Sequence, residues 1–169
     1  MTAISVRRAV RSDVAAVQTV GLLTWPPTYL AFTSPDHVLC GLAAWWSADA
    51  VLATITRDTT FVAEIGDRVV GTATLGTEPV IWKLYVVPDQ QGTGSGHALI
   101  QAMLDTVGPS AIGHRPSAVF VEFIEGNDWA RRFYERHGFG PDRVEHEECE
   151  PATVWFRRPE QGPPAHVRG

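Results

Sequence analysis

The segment that most constrains the fold of this 169-residue chain is a glycine-rich turn between a strand-like run and a helix-like run. Residues 81–87 are rich in β-branched and aromatic side chains, which predicts a strand, and Pro88 ends it. After the turn, Leu99, Met103 and Val107 recur every four residues and predict the apolar face of a helix. A strand that leads through a tight turn into a helix is typical of a layered α/β domain.

The remaining signals give the order β, α, α, three strands, α, β, α and two strands. The predicted strands are 5–10, 60–65, 68–75, 81–87, 118–124, 143–148 and 153–157, and the predicted helices are those after Ser12-Asp13, after Ser34-Pro35, from Ser47 to 56, from the turn to 107, and 127–137. Pro26 and Pro27 are expected to end the first helix. Gly66-Asp67 predicts a hairpin, so we expect a mostly antiparallel sheet in an α/β domain.

The turn itself, Gln91-Gly92-Thr93-Gly94-Ser95-Gly96, has three alternate glycines and opens a helix. The free N–H groups of a first helical turn favour a phosphate or pyrophosphate, and glycine lets the ligand come close to the backbone. A Walker P-loop is disfavoured because His97 stands where its lysine would follow Gly96. A Rossmann fingerprint is disfavoured because the third glycine comes too early. Taken alone, the turn also fits a glycine-rich loop without a ligand.

Charge and composition exclude several kinds of partner. The formal net charge is −5 and no dense basic cluster is present, so we expect no nucleic-acid partner. The N-terminus lacks an apolar signal core, which predicts a cytoplasmic protein. Residues 14–35 carry no charged side chain, but Pro26 and Pro27 interrupt the backbone hydrogen bonding that a membrane-spanning helix needs. We therefore expect no membrane segment.

The two cysteines, Cys40 and Cys149, show no ligand spacing and are expected to be reduced and structural. His146 and Cys149 stand among glutamates at 145, 147, 148 and 150. We interpret this stretch as a solvated acidic strand edge rather than a metal site, so no metal is expected.

Two stretches resemble motifs of one family. Residues 84–100 read LYVVPDQQGTGSGHALI, which resembles the acyl-CoA motif [RQ]-x-x-G-x-[GA] of the GCN5-related N-acetyltransferase (GNAT) family. Residues 127–139 read NDWARRFYERHGF, which resembles that family's second motif. The two motifs occur in the family's order with a predicted strand between them. The resemblance covers about residues 4–158 and is sharpest over 84–139.

The resemblance implies a three-layer α/β fold whose fourth and fifth strands splay apart to hold acetyl-CoA as co-substrate. It implies one acyl-CoA N-acyltransferase domain over residues 1–158, and the proline- and glycine-containing stretch 159–169 is expected to be a disordered tail. The implied activity is transfer of an acetyl group to a primary amine by direct attack in a ternary complex. The implied cofactor-binding residues are Leu84, Tyr85, Val86, Gln91, Gly92, Thr93, Gly94, Ser95, Gly96, His97 and Asn127.

Two side chains are candidates for the chemistry. Tyr134 lies two helical turns after Asn127 on the same predicted face, so its phenol is the candidate general acid for the leaving thiolate. An amine must lose a proton before it attacks, and Glu122 on the preceding strand is the candidate base. A satisfied or solvent-facing carboxylate is an equal alternative for Glu122, with Glu78 or a water chain as the substitute base.

The acceptor is expected to be a small-molecule amine or a peptide N-terminus, and a homodimer is left open. Aromatic residues of the first 60 positions either line the acceptor pocket or pack in the core: Trp25, Tyr29, Phe32, Trp45 and Trp46. Alternative functions are transfer of a longer acyl group and a non-catalytic CoA-binding sensor.

Overall fold

The computed structural model describes residues 3–107, 118–148 and 151–159. Within these residues, seven strands form one sheet in the order β1-β2-β3-β4-β5-β7-β6, and only β4 and β5 among them are parallel. The strands are β1 (Ile4–Arg8), β2 (Thr59–Ile65), β3 (Arg68–Leu75), β4 (Val80–Val86), β5 (Ala118–Ile124), β6 (Gly140–Glu145) and β7 (Thr153–Pro159). The helices are α1 (Val14–Tyr29), α2 (Pro35–Trp45), α3 (Ala48–Arg57), α4 (Ser95–Thr106) and α5 (Asp128–Arg136). The predicted α/β class and mostly antiparallel sheet are confirmed.

Local sequence signals fix several element boundaries. The Ser34 side chain accepts a hydrogen bond from the N–H of His37 and caps α2, and Ser47 caps α3 in the same way through Ala50. Gly66 turns the β2–β3 hairpin with a φ of +61°, a left-handed conformation that favours glycine. These three predictions were made from short-range chemistry, and the structure confirms them.

The prediction that Pro26 and Pro27 end the first helix is wrong. α1 continues through both prolines to Tyr29, and the N–H of Leu30 still bonds the carbonyl of Pro26 at 3.0 Å. Both prolines lie in the last turn, so only two intrahelical hydrogen bonds are lost. The buried Trp25 ring packs on the Tyr29 ring at 3.9 Å between centroids, and this packing holds the final turn in helical geometry.

Helices cover the sheet on both faces, which gives three layers. Along β2, Phe61 and Ala63 join a buried cluster that contains Leu99 of α4. Val62 points to the opposite face and packs in a second cluster with Val51 of α3. The α4 and α5 layer therefore lies on one face of the sheet, and α1, α2 and α3 lie on the other.

The parallel strands β4 and β5 separate soon after they meet. Their backbones pair at Val80 with Phe120 and at Ile81 with Val121, and the pairing ends there although both strands continue. The resulting gap opens toward the carboxyl ends of the two strands. Because α4 begins after β4 and α5 begins after β5, both helix N-termini lie near this gap, and the predicted splay is confirmed.

Among the described residues, no single helix combines the length and the hydrophobicity needed to cross a membrane. The bent pair α2 and α3 reaches the threshold together, with an angle of 53° between them. The predicted tail begins at Pro159, which is the last residue of β7, and residues 160–169 lie outside the described part of the chain, as does Cys149.

Candidate active site

The structure requires glycine in the turn after β4 for two different reasons, a backbone conformation and a close helix contact. Gly92 and Gly94 have φ values of +78° and +100°, which L-residues with side chains rarely adopt. Gly96 lies where α4 approaches α5, because a Cβ atom there would lie 3.2 Å from Cε2 of Phe133. No protein atom lies within 4 Å of a Cβ position at Gly92, so the space above the turn is open to a ligand.

The polar side chains of the turn stabilise the turn itself. Nε2 of Gln91 donates to the carbonyl of Val86 at 3.1 Å, and the Thr93 hydroxyl donates to the carbonyl of Gln90 at 2.7 Å. The Thr93 hydroxyl also lies 2.9 Å from that of Ser95, which is buried. The sequence prediction assigned these three residues to the cofactor. In the structure their side chains hold the turn, so a ligand there would meet mainly backbone N–H groups.

A cavity of about 670 Å³ lies beside the turn. Its lining comes from the turn, from α4 and α5, and from the end of β7, and includes Val86, Gly92, Gly94, Gly96, His97, Gln101, Trp129, Phe133, Arg136, His137 and Arg158. The positive end of the α4 dipole and two guanidinium groups face this space. The cavity therefore suits an anionic ligand.

The exposed edge of β4 faces the gap between the strands. Leu84, Tyr85 and Val86 pair with β3 on one side, through Ala73, Thr72 and Gly71, and have no strand partner on the β5 side. Backbone groups that point into the gap are available to a ligand, as an unpaired strand edge is. The N–H of Val87 bonds the carbonyl of Val70, so in the alternating antiparallel ladder the backbone of Tyr85 bonds β3 and that of Leu84 and Val86 faces the gap. The carbonyl of Val86 is already used by Gln91, so the free groups are those of Leu84 and the N–H of Val86.

Asn127 caps α5 at the mouth of the same gap. Its Oδ1 accepts a hydrogen bond from the N–H of Ala130 at 3.1 Å, which is the usual role of an N-cap asparagine. The sequence prediction assigned Asn127 to the ligand. Since the oxygen holds the helix, Nδ2 is the atom that can donate to a ligand in the gap.

Tyr134 of α5 is only 7% exposed and lies among aromatic rings. Its ring centroid is 6.0 Å from that of Phe123 on β5 and 5.7 Å from that of Phe139. Burial, followed by the nearby Tyr29, raises the pKa of the Tyr134 phenol above its ordinary value. Tyr134 therefore keeps its proton at neutral pH and can donate it.

Glu122 of β5 points away from the face covered by α5, since Phe123 points toward that helix. Glu122 is solvent-exposed as a residue, but nearby protein atoms partly desolvate its carboxyl group. Desolvation raises the pKa of Glu122, the charge of Glu145 raises it further, and Arg143 partly opposes both. A raised pKa makes this carboxylate a better proton acceptor at neutral pH.

The glycine turn, the β4–β5 gap and α5 all lie within one segment that matches a known family. A family model described as the acetyltransferase (GNAT) domain matches residues 56–141, which is more than half of the chain. This chain belongs to the GNAT acetyltransferase family. The resemblance seen in the two sequence motifs is thereby confirmed.

Solved structures show the same fold as this GNAT protein. A GCN5-related N-acetyltransferase from Rhodopseudomonas palustris is 20% identical, with 95% of this chain and 98% of that chain covered and a TM-score of 0.79. PaiA N-acetyltransferase from Thermoplasma acidophilum, solved in complex with coenzyme A, is 17% identical, with coverage of 94% and 99% and a TM-score of 0.78. The ribosomal-protein-S18-alanine N-acetyltransferase from Escherichia coli is 14% identical, with coverage of 99% and 100% and a TM-score of 0.66. No curated protein matches the sequence.

Two tyrosine hydroxyls meet beside the gap of the GNAT domain, and no sequence pattern indicated this contact. The hydroxyl of Tyr29 at the end of α1 lies 3.0 Å from that of Tyr85 on β4. Burial raises the pKa of both phenols, and the charge of Glu122 contributes to each. The charge of Tyr134 also acts on Tyr85. The three tyrosines and Glu122 therefore share one electrostatic environment.

Two of the five aromatic residues singled out near the N-terminus are buried in the core. Trp25 and Trp46 are buried and contact the Tyr85 ring, with centroid distances of 6.4 and 5.3 Å. Lys83 lies over the Trp46 ring at 4.4 Å and donates to the carbonyl of Trp45 at 2.7 Å. Burial lowers the pKa of Lys83 to about 8. The core interpretation holds for Trp25 and Trp46, whereas Trp45 is 49% exposed.

Proposed function

We propose that this GNAT protein transfers an acetyl group from acetyl-CoA to a primary amine of a small molecule or a peptide. The observation that carries the proposal is the gap between β4 and β5, which has the glycine turn at one end and Tyr134 and Glu122 beside it. A phosphate site and an acid–base pair joined by an open strand edge fit a cofactor that has a charged end and a reactive end.

The cofactor would lie along the gap. Its pyrophosphate would accept hydrogen bonds from the backbone of the turn, where Gly92 and Gly94 leave the approach open. Its pantetheine arm would pair with the free edge of β4 at Leu84 and at the N–H of Val86, and Nδ2 of Asn127 would donate to it. That the PaiA N-acetyltransferase, which has the same fold, was solved with coenzyme A supports this arrangement.

The reaction would proceed by direct attack. Glu122 takes a proton from the acceptor ammonium, and the amine nitrogen forms a bond to the thioester carbonyl carbon. A backbone N–H of β4 stabilises the oxyanion. The tetrahedral intermediate collapses as the carbon–sulfur bond breaks, Tyr134 gives its proton to the leaving thiolate, and the second proton lost by the amine nitrogen returns the Tyr134 phenolate to its neutral form. A backbone edge for the oxyanion and a buried phenol for the thiolate support this sequence of steps.

The proposed reaction does not pass through a covalent acyl-enzyme intermediate. In the part of the chain that the structure describes, the cysteine is Cys40, which is exposed on α2 and does not line the cavity. Transfer would therefore occur in a ternary complex.

Calorimetric titration with acetyl-CoA tests the cofactor site. Gly94→Glu places a carboxylate in the anion site and should abolish binding, whereas Gly66→Glu should bind like the wild type. Gly66 is a matched control because it also has a positive φ and open space, but lies in the β2–β3 hairpin. Unchanged binding by Gly94→Glu would remove the site assignment.

Release of free CoA thiol, followed with a panel of amines, tests the reaction. The panel should include small aliphatic diamines and peptides with a free N-terminal alanine, because the Escherichia coli structural relative is named for that acceptor. Comparing acetyl-CoA with longer acyl-CoA esters would define the acyl group. Binding of acetyl-CoA without thiol release by any amine would favour the sensor alternative.

A further inference from the structure

Two histidines meet inside the cavity beside the glycine turn. Nδ1 of His97, in the first turn of α4, lies 3.0 Å from Nε2 of His137, the residue after α5. Nδ1 of His137 lies 2.7 Å from the carbonyl oxygen of Phe133. Both rings line the cavity, and His97 is solvent-exposed. The contact joins the N-terminus of one helix to the C-terminus of the other.

The hydrogen-bond partners fix where the protons of the pair lie. The carbonyl of Phe133 only accepts, so Nδ1 of His137 carries a hydrogen. In the neutral pair, Nε2 of His137 is then bare and accepts from Nδ1 of His97, which leaves a lone pair on Nε2 of His97. When the pair gains one proton, Nε2 of His97 carries a hydrogen, whichever ring holds the charge. One proton therefore changes the outer nitrogen of His97 from an acceptor into a donor.

The surroundings of the pair favour an anion. Arg136 of α5 and Arg158 of β7 line the same cavity, and among the described lining residues none is a carboxylate. Nε of Arg158 is buried without a hydrogen-bond partner in the described part of the chain. Arg158 also passes close to Gly138, where a Cβ atom would lie 3.2 Å from Nε. A bound phosphate would compensate these charges and favour an added proton on the histidine pair.

We propose that His97 and His137 form a phosphate clasp, which binds a phosphate of a CoA-type cofactor and takes up one proton as it does so. The proposal rests on the proposed function, because it requires that this cavity holds such a cofactor. The ligand chemistry is either the pyrophosphate or the terminal 3′-phosphate monoester. Because binding takes up one proton, affinity should fall by as much as about tenfold for each pH unit over which that uptake is complete.

Calorimetry with CoA, which has no acyl group to transfer, measures the linkage. Titrations at one pH in HEPES and in Tris, whose ionisation enthalpies differ, give the number of protons exchanged from the slope of the binding heat. We expect uptake that approaches one proton as the starting pH is raised. Dephospho-CoA is the second ligand, because it keeps the pyrophosphate and has no phosphate monoester that titrates near neutrality. Uptake with both ligands assigns the clasp to the pyrophosphate, and uptake with CoA alone assigns it to the 3′-phosphate.

Variants locate the proton. His97→Asn and His137→Gln should each weaken CoA binding about tenfold at pH 6.5 and remove the uptake, as expected for loss of one charge-assisted hydrogen bond. His146→Asn, an exposed histidine that does not line the cavity, is the control and should retain both. His97→Arg supplies a permanent cation, so it should restore affinity without proton uptake or pH dependence. Circular dichroism establishes that each variant is folded. If one of the two histidine variants does not fold, the other alone is sufficient for the test.

The outcomes separate the clasp from the function. CoA that binds the wild type with heat independent of the buffer would overturn the clasp and leave the proposed function intact. Uptake that persists in both His97→Asn and His137→Gln would also overturn it, since the proton then goes elsewhere. Failure of both CoA and dephospho-CoA to bind would overturn the proposed function together with the clasp.

Discussion

Three glycines with positive φ angles allow the strain of a substitution to be separated from its effect on the cofactor. Gly92 and Gly94 lie in the turn after β4, and Gly66 lies in the β2–β3 hairpin. An added Cβ meets no atom within 4 Å at Gly66 or Gly92, and at Gly94 the nearest atom is 3.6 Å away, in Ile4. Alanine at each position therefore introduces no clash, and only the backbone conformation is unfavourable.

The size of this effect follows from the backbone. A left-handed residue with a Cβ costs about 1–2 kcal/mol, and alanine also loses about 0.4–1 kcal/mol less entropy on folding than glycine. The net loss of stability should be about 1 kcal/mol in Gly66→Ala, Gly92→Ala and Gly94→Ala alike. For a chain of this length, that corresponds to a decrease in Tm of about 2–4 °C.

Cofactor affinity should distinguish the three variants. At Gly92 and Gly94 the methyl group occupies space beside the cavity, where it would keep a phosphate oxygen from the backbone N–H groups. Loss of one or two charge-assisted hydrogen bonds predicts an acetyl-CoA affinity about 10- to 100-fold weaker. Gly66→Ala should keep the wild-type affinity, because it lies outside the cavity.

Thermal unfolding and calorimetric titration on the same three samples test both parts. Equal losses of affinity in all three variants would show a global effect of strain rather than a phosphate site. Wild-type affinity in both Gly92→Ala and Gly94→Ala would refute the idea that the turn binds the cofactor through its backbone.

The other predictions concern proton transfer and buried charge. Tyr134→Phe should lower kcat about 10²- to 10⁴-fold with acetyl-CoA affinity unchanged, because only the donated proton is lost; steady-state kinetics and calorimetry measure the two, and full activity would exclude Tyr134 as the acid. In the wild type, kcat/KM should rise with pH through the raised pKa of Glu122, since the base acts only when deprotonated; Glu122→Gln should lose that rise, and an unshifted pH–rate profile would exclude the role. Burial lowers the pKa of Lys83 to about 8 from 10.5, so the unfolded chain binds more protons between these values and stability should increase as pH rises through that window. Urea unfolding between pH 7.5 and 10 measures this increase, and Lys83→Met should lack it; an equal increase in the variant would assign it to other groups.

Much of the fold was predictable because its signals are local. Ser34 and Ser47 cap helices through backbone groups three residues away, and Gly66 makes a two-residue turn. At Pro26 and Pro27, in contrast, the prediction from local sequence was wrong. The local rule that proline ends a helix failed, because packing of Trp25 on Tyr29 decides the last turn of α1. This contact lies within α1, between residues four positions apart on either side of the two prolines, and the prolines themselves do not predict it.

The candidate site also has features that the sequence predicts and contacts that only the structure shows. The sequence by itself determined the glycine turn, the cap at Asn127 and the order of the two motifs, because each depends on backbone geometry within a few residues. Only the tertiary structure decided that Tyr29 meets Tyr85, 56 positions away, and that His97 meets His137, 40 positions away. Side-chain pairs of this kind depend on the distance and angle between separate helices and strands. Those are set by packing of the whole core, which no short stretch of sequence specifies.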